Sequence, residues 1–163
     1  MFSDGRISRA ERFLDLCALK KIRVVTAESC TGGLISACLT AVPGSSEVVE
    51  CGFITYSNQA KESMLGVHPD LIHQQGAVSQ DVAYAMAQGA LNHSRASLAV
   101  ATTGIAGPGG ATPGKPVGLV HIVVLSRDGQ HRHDAPVFAG SRHDIRDHTT
   151  GHAIDMMYAL LST

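Results

Sequence analysis

Tryptophan is absent from these 163 residues, and aromatic side chains make up only 4% of them. Any core they form must therefore be aliphatic. Net charge is almost absent as well. Thirteen basic against fourteen acidic side chains leave a formal charge of −1, and such a balance creates no overall field that holds a polyanion or an acidic membrane surface. Neither nucleic acid nor membrane is expected as a partner. No apolar run approaches the length of a bilayer span, and Met1-Phe2-Ser3-Asp4-Gly5-Arg6 lacks the basic segment and apolar stretch of a secretory leader. A cytoplasmic location is expected. Close cysteine pairs are missing too: Cys17, Cys30, Cys38 and Cys51 are spaced thirteen, eight and thirteen residues apart. That spacing is unlike zinc knuckles or redox pairs, so at least three read as buried thiols.

What is present describes one globule. The chain is 44% hydrophobic and 17% charged, more apolar and less charged than a disordered segment, and its length suits a single core. No repeat, low-complexity tract or domain boundary interrupts residues 1–163. Apolar spacing predicts an amphipathic helix beginning near Ser8 and running to Lys21, then a strand from Ile22 to Ala27. Gly32-Gly33 leads into a helix over Leu34 to Leu39 that ends before Pro43-Gly44. A strand over Val48 to Tyr56, a short helix over Asn58 to Leu65 and a longer one over Gln80 to Ser94 follow. Leu98 to Thr103 and Val117 to Ser126 read as strands, and Arg127-Asp128-Gly129-Gln130 as a hairpin turn into His131 to Phe138. A last helix starts at about Ser141. Helices interspersed with strands predict an α/β fold, a three-layer α/β/α sandwich, and the late hairpin makes its β-sheet mixed.

Chemistry concentrates in the turns. Ala27-Glu28-Ser29-Cys30-Thr31-Gly32-Gly33 places hydroxyls, a thiol and two glycines between a strand and a helix N-terminus. Outward-facing amides and the positive end of the helix dipole there favour a phosphate or an oxyanion. The same residues also make an ordinary cap and tight turn. Further on, Tyr56 closes a strand and Lys61 follows in the next helix, within reach of one pocket. A lysine acts as general base only when neutral, which requires burial or neighbouring positive charge to depress its pKa; an ordinary Lys61 is a solvated cation. The glycine loop from Thr102 to Pro116 contains a formal GxxxxGK match at Gly109 to Lys115. Pro116 stands where a P-loop needs Ser or Thr, and a strand follows where a helix is required, so the match is rejected. His131 and His133 alternate along a strand with no third ligand, and His148 and His152 lack the glutamate of an HExxH pattern. No metal and no cofactor is assigned. Arg142 and Arg146 are four residues apart near a helix N-terminus, where two cations are unfavourable unless an anion compensates them.

Taken together, Ala27 to Gly33, Thr55-Tyr56-Ser57-Asn58 with Ala60-Lys61, and Thr103-Gly104-Ile105-Ala106-Gly107-Pro108 resemble the CinA C-terminal domain family. Lys115-Pro116-Val117-Gly118 and Gly140-Ser141-Arg142 through Thr149 extend the likeness, which runs in order from about residue 10 to residue 160. The resemblance implies a nicotinamide-nucleotide amidase in pyridine nucleotide recycling. In it Ser29 is the nucleophile, Lys61 takes its proton directly or through Tyr56, and Tyr56 can donate to the leaving ammonia. It also makes the backbone amides of Cys30, Thr31, Gly32 and Gly33, or that of Gly104, candidates for the oxyanion hole. Thr103, Arg142 and Arg146 become candidates for ribose-phosphate contacts. Many family members carry a larger N-terminal domain that this sequence lacks, so the stand-alone form is expected, and a pocket on so small a domain suits a homodimer. Three rival readings are a Cys30 nucleophile, a noncatalytic nucleotide-binding regulatory module and, disfavoured by the charge balance, a nucleic-acid partner suggested by the family's association with competence and DNA damage.

Overall fold

Residues 2–163 are described by a computed structural model, and alternation along its strands decides the architecture. The elements follow one another as α1 (Asp4–Lys20), β1 (Val24–Glu28), α2 (Leu34–Thr40), a 3-10 turn (Ser45–Glu47), β2 (Val49–Ile54), α3 (Asn58–Leu65) and α4 (Pro69–Gln75). Then come α5 (Gln80–Asn92), β3 (Leu98–Gly104), β4 (Val120–Ser126), β5 (His131–Asp134) and α6 (Arg142–Leu161). Successive strand residues point to opposite faces. Val24, Leu98, Val100, Ile122 and Val124 accordingly pack with Phe13, Leu39, Ile145 and Met157 of α1, α2 and α6. Val25, Ala27, Ala99, Ala101, Val123 and Leu125 pack on the other side with Leu65, Ile72, Val82 and Met86 of α3, α4 and α5. The result is the three-layer α/β/α sandwich that the element pattern predicts.

The sheet runs β2-β1-β3-β4-β5, with β2, β1 and β3 parallel and β4 and β5 antiparallel to their neighbours, so it is mixed. Strand order reverses at β1: the connection through α2 leads to β2 on one side, and α3, α4 and α5 lead across to β3 on the other. A crevice at the carboxyl ends of the strands forms at such a switch point. Ile54, Glu28 and Thr102 lie in one register row across β2, β1 and β3, so the next residues of all three strands emerge side by side. Among the described residues, no helix is long and apolar enough to cross a membrane.

Several boundaries differ from the sequence expectation. Helix α1 begins at Asp4, capped by Ser3, whose Oγ accepts from the Arg6 amide, and not at Ser8. A long-range contact holds the added turn: Arg6 pairs with Asp147 of α6 at 2.7 Å. Strand β4 begins at Val120 because Gly118, at φ +93°, turns the chain there. Strand β5 stops at Asp134, with Val137 only bridged to Leu119. Helix α4 was unforeseen; His68 caps it through Nδ1, and Pro69 opens it.

Candidate active site

Helix α3 brings a lysine against the serine that follows β1. Ser57 caps the helix by accepting from the Ala60 amide at 3.0 Å, and Lys61 comes one turn later with only 1% of its surface exposed. Its Nζ lies 2.9 Å from Ser29 Oγ and 2.9 Å from the carbonyl oxygen of Thr55. Both partners are neutral. With no carboxylate to offset the loss of water, burial lowers the Lys61 pKa from its ordinary value. A protonated Nζ donates to both oxygens. A neutral amine has two N–H groups and one lone pair, so one N–H stays with Thr55 and the lone pair accepts from the Ser29 hydroxyl.

Ser29 stands in a tightly held loop. Its amide donates to the Thr102 carbonyl at 3.0 Å, and its own carbonyl accepts from the Gly32 amide at 3.0 Å. Gly32 and Gly33 take φ of +59° and +95°, left-handed values that side chains resist. Gly33 is the N-cap of α2 and has no side chain to cap with. The fully buried Glu28 supplies the cap instead, accepting from the amides of Gly33 at 2.9 Å, Ile35 at 3.1 Å and Ser36 at 2.9 Å. A carboxylate at a helix N-terminus is stabilised both by these bonds and by the dipole. Nothing in the sequence beyond the capless Gly33 signals this use of Glu28. With the Gly32 and Gly33 amides engaged inside the loop, those of Cys30 and Thr31 have no acceptor on any other described residue.

The other expected residues are distributed around this pair. Ser29, Cys30, Tyr56, Lys61, Thr103, Gly104 and Arg142 line one cleft of about 230 Å³ that opens to solvent. Asn58, Ala77, Val78 and Ala106 complete it; sequence reasoning did not single them out as site residues, and they carry no distinguishing chemistry beyond the place of Asn58 beside Tyr56. Tyr56 is 58% exposed at the mouth, and its hydroxyl accepts from Arg142 Nη2 at 2.6 Å. Arg142 also donates to the Gly107 carbonyl at 2.8 Å. Thr103 Oγ1 donates to the Ala77 carbonyl at 2.7 Å, tying the 77–78 segment to the end of β3. Thr31 is buried beneath the loop against Thr102, with their hydroxyls 2.9 Å apart. Arg146 parts company with Arg142: its Nε and Nη2 donate to the carbonyls of Cys30 at 3.1 Å and Thr31 at 3.0 Å. The Cys30 thiol is pushed up to about 12 by burial, which keeps it protonated and poorly nucleophilic. Cys17 and Cys38 are likewise buried, and Cys51 is half-buried.

The histidines lie away from the cleft. His133 meets His121, Nε2 to Nδ1, at 3.0 Å, and His152 meets Asp134 at 2.7 Å. His131 packs edge-on against Tyr84.

A family model for the CinA C-terminal domain matches residues 7–161. A CinA-like protein of Mycobacterium marinum is 51% identical over 140 residues, 86% of this chain and 33% of that protein. A CinA-like protein of Chlorobium phaeovibrioides is 44% identical over 166 residues, 99% of this chain and 39% of its own length. The chain thus spans little more than a third of these curated relatives. Among solved structures, the competence/damage inducible protein CihA of Agrobacterium tumefaciens superposes with a TM-score of 0.96 at 46% identity, covering 98% of each chain. A CinA superfamily protein of Escherichia coli superposes at 0.90 and 29% identity, over 100% of this chain and 94% of the other.

Proposed function

Because this chain belongs to the CinA C-terminal domain family, we propose that it is a serine amidohydrolase that converts nicotinamide mononucleotide to nicotinate mononucleotide and ammonia, in the cytoplasm, as a step of pyridine nucleotide recycling. The observation that carries the reading is the buried Lys61 amine 2.9 Å from Ser29 Oγ at the floor of an open cleft. A depressed lysine pKa is what a general base working near neutrality requires.

Ser29 Oγ attacks the carboxamide carbon while Lys61 Nζ accepts the hydroxyl proton. Oxygen charge develops in the tetrahedral intermediate, and the free amide of Cys30, which lines the cleft, is the donor available to it. Breaking the carbon–nitrogen bond releases ammonia as Lys61 returns the proton to the departing nitrogen, leaving a nicotinoyl ester on Ser29. Water then adds to the ester with Lys61 as base, the bond to Oγ breaks, Ser29 regains its proton and nicotinate mononucleotide departs. Tyr56 accepts from Arg142, so its own O–H is left to donate toward the leaving nitrogen. Arg142 brings the positive charge among the cleft-lining residues that suits the nucleotide phosphate.

The test is release of ammonia and nicotinate mononucleotide from nicotinamide mononucleotide by the purified protein without added metal. Ser29→Ala and Lys61→Ala are expected to abolish release, and Cys30→Ala to keep it. Nucleotide binding without release from folded wild type would replace this reading with a noncatalytic binding module. Loss in Cys30→Ala alone would move the nucleophile to the thiol.

A further inference from the structure

Arg146 does not line the cleft, yet it holds the loop that carries Ser29. Its guanidinium spans two successive carbonyls, Nε to Cys30 and Nη2 to Thr31, at 3.1 and 3.0 Å. A trans peptide is planar, with C=O and N–H pointing in opposite directions. Fixing the Cys30 carbonyl on the α6 side therefore turns the Thr31 N–H away from Arg146. Fixing the Thr31 carbonyl does the same for the Gly32 N–H, and that amide is found on the Ser29 carbonyl. The Ser29 carbonyl, held in turn by Gly32, sets the plane that carries the Cys30 N–H. Three consecutive planes after the nucleophile are thus locked, two of them by one side chain. A Cβ on Gly32 would lie 3.2 Å from Arg146 Nη2, so the loop is shaped to accept the guanidinium closely.

We propose that Arg146 is a positioning residue: its bidentate grip on the Cys30 and Thr31 carbonyls, passed on through the Gly32 amide to the Ser29 carbonyl, aims the Cys30 backbone amide that receives the oxyanion, without contacting substrate. The inference rests on the serine amidohydrolase reading and deepens it. Arg142 and Arg146, one turn apart on α6, then do different work, one at the substrate and one behind the loop. A lysine cannot reproduce the planar fork of two fixed N–H groups, so even the conservative change loosens one plane.

The experiment compares Arg146→Lys, Arg146→Met and Arg142→Ala with wild type in nicotinamide mononucleotide kinetics, in affinity for nicotinate mononucleotide by calorimetry, and in the rate at which a fluorophosphonate probe labels Ser29. The probe's phosphonyl oxygen needs the same amide but not the nucleotide. Arg146→Lys is expected to lower kcat and the labelling rate by about tenfold to hundredfold, with KM and product affinity within about threefold of wild type. Arg146→Met is expected to lose more of both rates, and Arg142→Ala to raise KM instead. A raised KM with weaker product binding and unchanged kcat in Arg146→Lys would make Arg146 a substrate clamp and overturn the proposal. Unchanged kcat and labelling would overturn it as well. Wild type that labels at Ser29 but releases no ammonia would sink the nucleotide reading alone, and the labelling rates would still decide Arg146. Wild type that does not label at Ser29 would sink both.

Discussion

Replacing Lys61 with methionine separates the state of the amine from everything else that holds it. The thioether side chain keeps most of the apolar stem but removes Nζ, so the Thr55 carbonyl loses its partner at 2.9 Å. That orphaned oxygen costs about 1–3 kcal/mol at any pH. The pH-dependent part comes from the amine alone. Burial lowers the folded-state pKa of Lys61 below 10.5, so in the window between those values the unfolded chain holds a proton that the folded chain does not. Stability then rises with pH, by about 1.4 kcal/mol per pH unit while the window lasts, and the penalty vanishes above the unfolded value. The variant lacks this slope. Cys17 and Cys38, at about 12 and 11, tilt both proteins together, lowering stability as the unfolded thiols ionise above their ordinary value of 9.0. Cys30, at about 12, interacts with Lys61 and titrates differently in the variant, so subtracting the two stability curves isolates Lys61 below 9.0, where the thiols stay protonated in both states. Urea unfolding followed by far-ultraviolet circular dichroism suits a chain without tryptophan. The difference between wild type and Lys61→Met is expected to grow in favour of wild type as pH rises through the lowered Lys61 value toward 10.5, and the acid limb of wild-type kcat/KM to fall at the pH where that growth begins. Parallel curves would mean that Lys61 stays charged in the fold, and direct proton transfer from Ser29 would have to be abandoned.

Two more predictions come from the supports of the site. A Cβ at Gly89 of α5 would overlap the carbonyl oxygen of Leu65, at the end of the helix that presents Lys61. Gly89→Ala is therefore expected to cost about 1–3 kcal/mol in thermal or urea unfolding and to lower kcat by up to about 100-fold as α3 shifts; wild-type kinetics with wild-type stability would show that this approach has room to spare. Glu28→Gln leaves the cap with one carbonyl oxygen for three amides and turns an N–H donor toward another donor. A loss of about 1–3 kcal/mol in urea unfolding is expected, and an unchanged midpoint would refute the capping role.

Where local signals sufficed, the sequence reading and the structure agree. Helix α3 runs from Asn58 to Leu65 as its pattern predicts, because Ser57 caps it and Gly66, at φ +69°, ends it. Helix α6 starts where Ser141 and Asp144 form a reciprocal capping box. The start of α1 was not legible, since Ser3 and Ser8 are equally good caps and the choice between them depends on Asp147, far along the chain. Strand order was illegible for the same reason. At the site, four-residue spacing correctly places Arg142 and Arg146 a turn apart on one helix, but helical spacing says nothing of where long side chains end. One reaches the Gly107 carbonyl and Tyr56, the other the carbonyls of Cys30 and Thr31. The cap formed by Glu28 escaped notice because its three amides become neighbours only once the loop has turned.

The grip of α6 on the Ser29 loop also bears on the order in which the protein becomes competent during synthesis. Ser29 and Lys61 leave the ribosome before the helix that braces the loop, which is the last element of this fold in chain order. A nascent chain can hold Ser29 and Lys61 together while the Cys30 amide beside them remains unaimed. If the chain is the proposed amidohydrolase, hydrolysis begins only when α6 docks against α1 and α2, so that completion of the fold, and not assembly of the reacting pair, is the step that turns the molecule on.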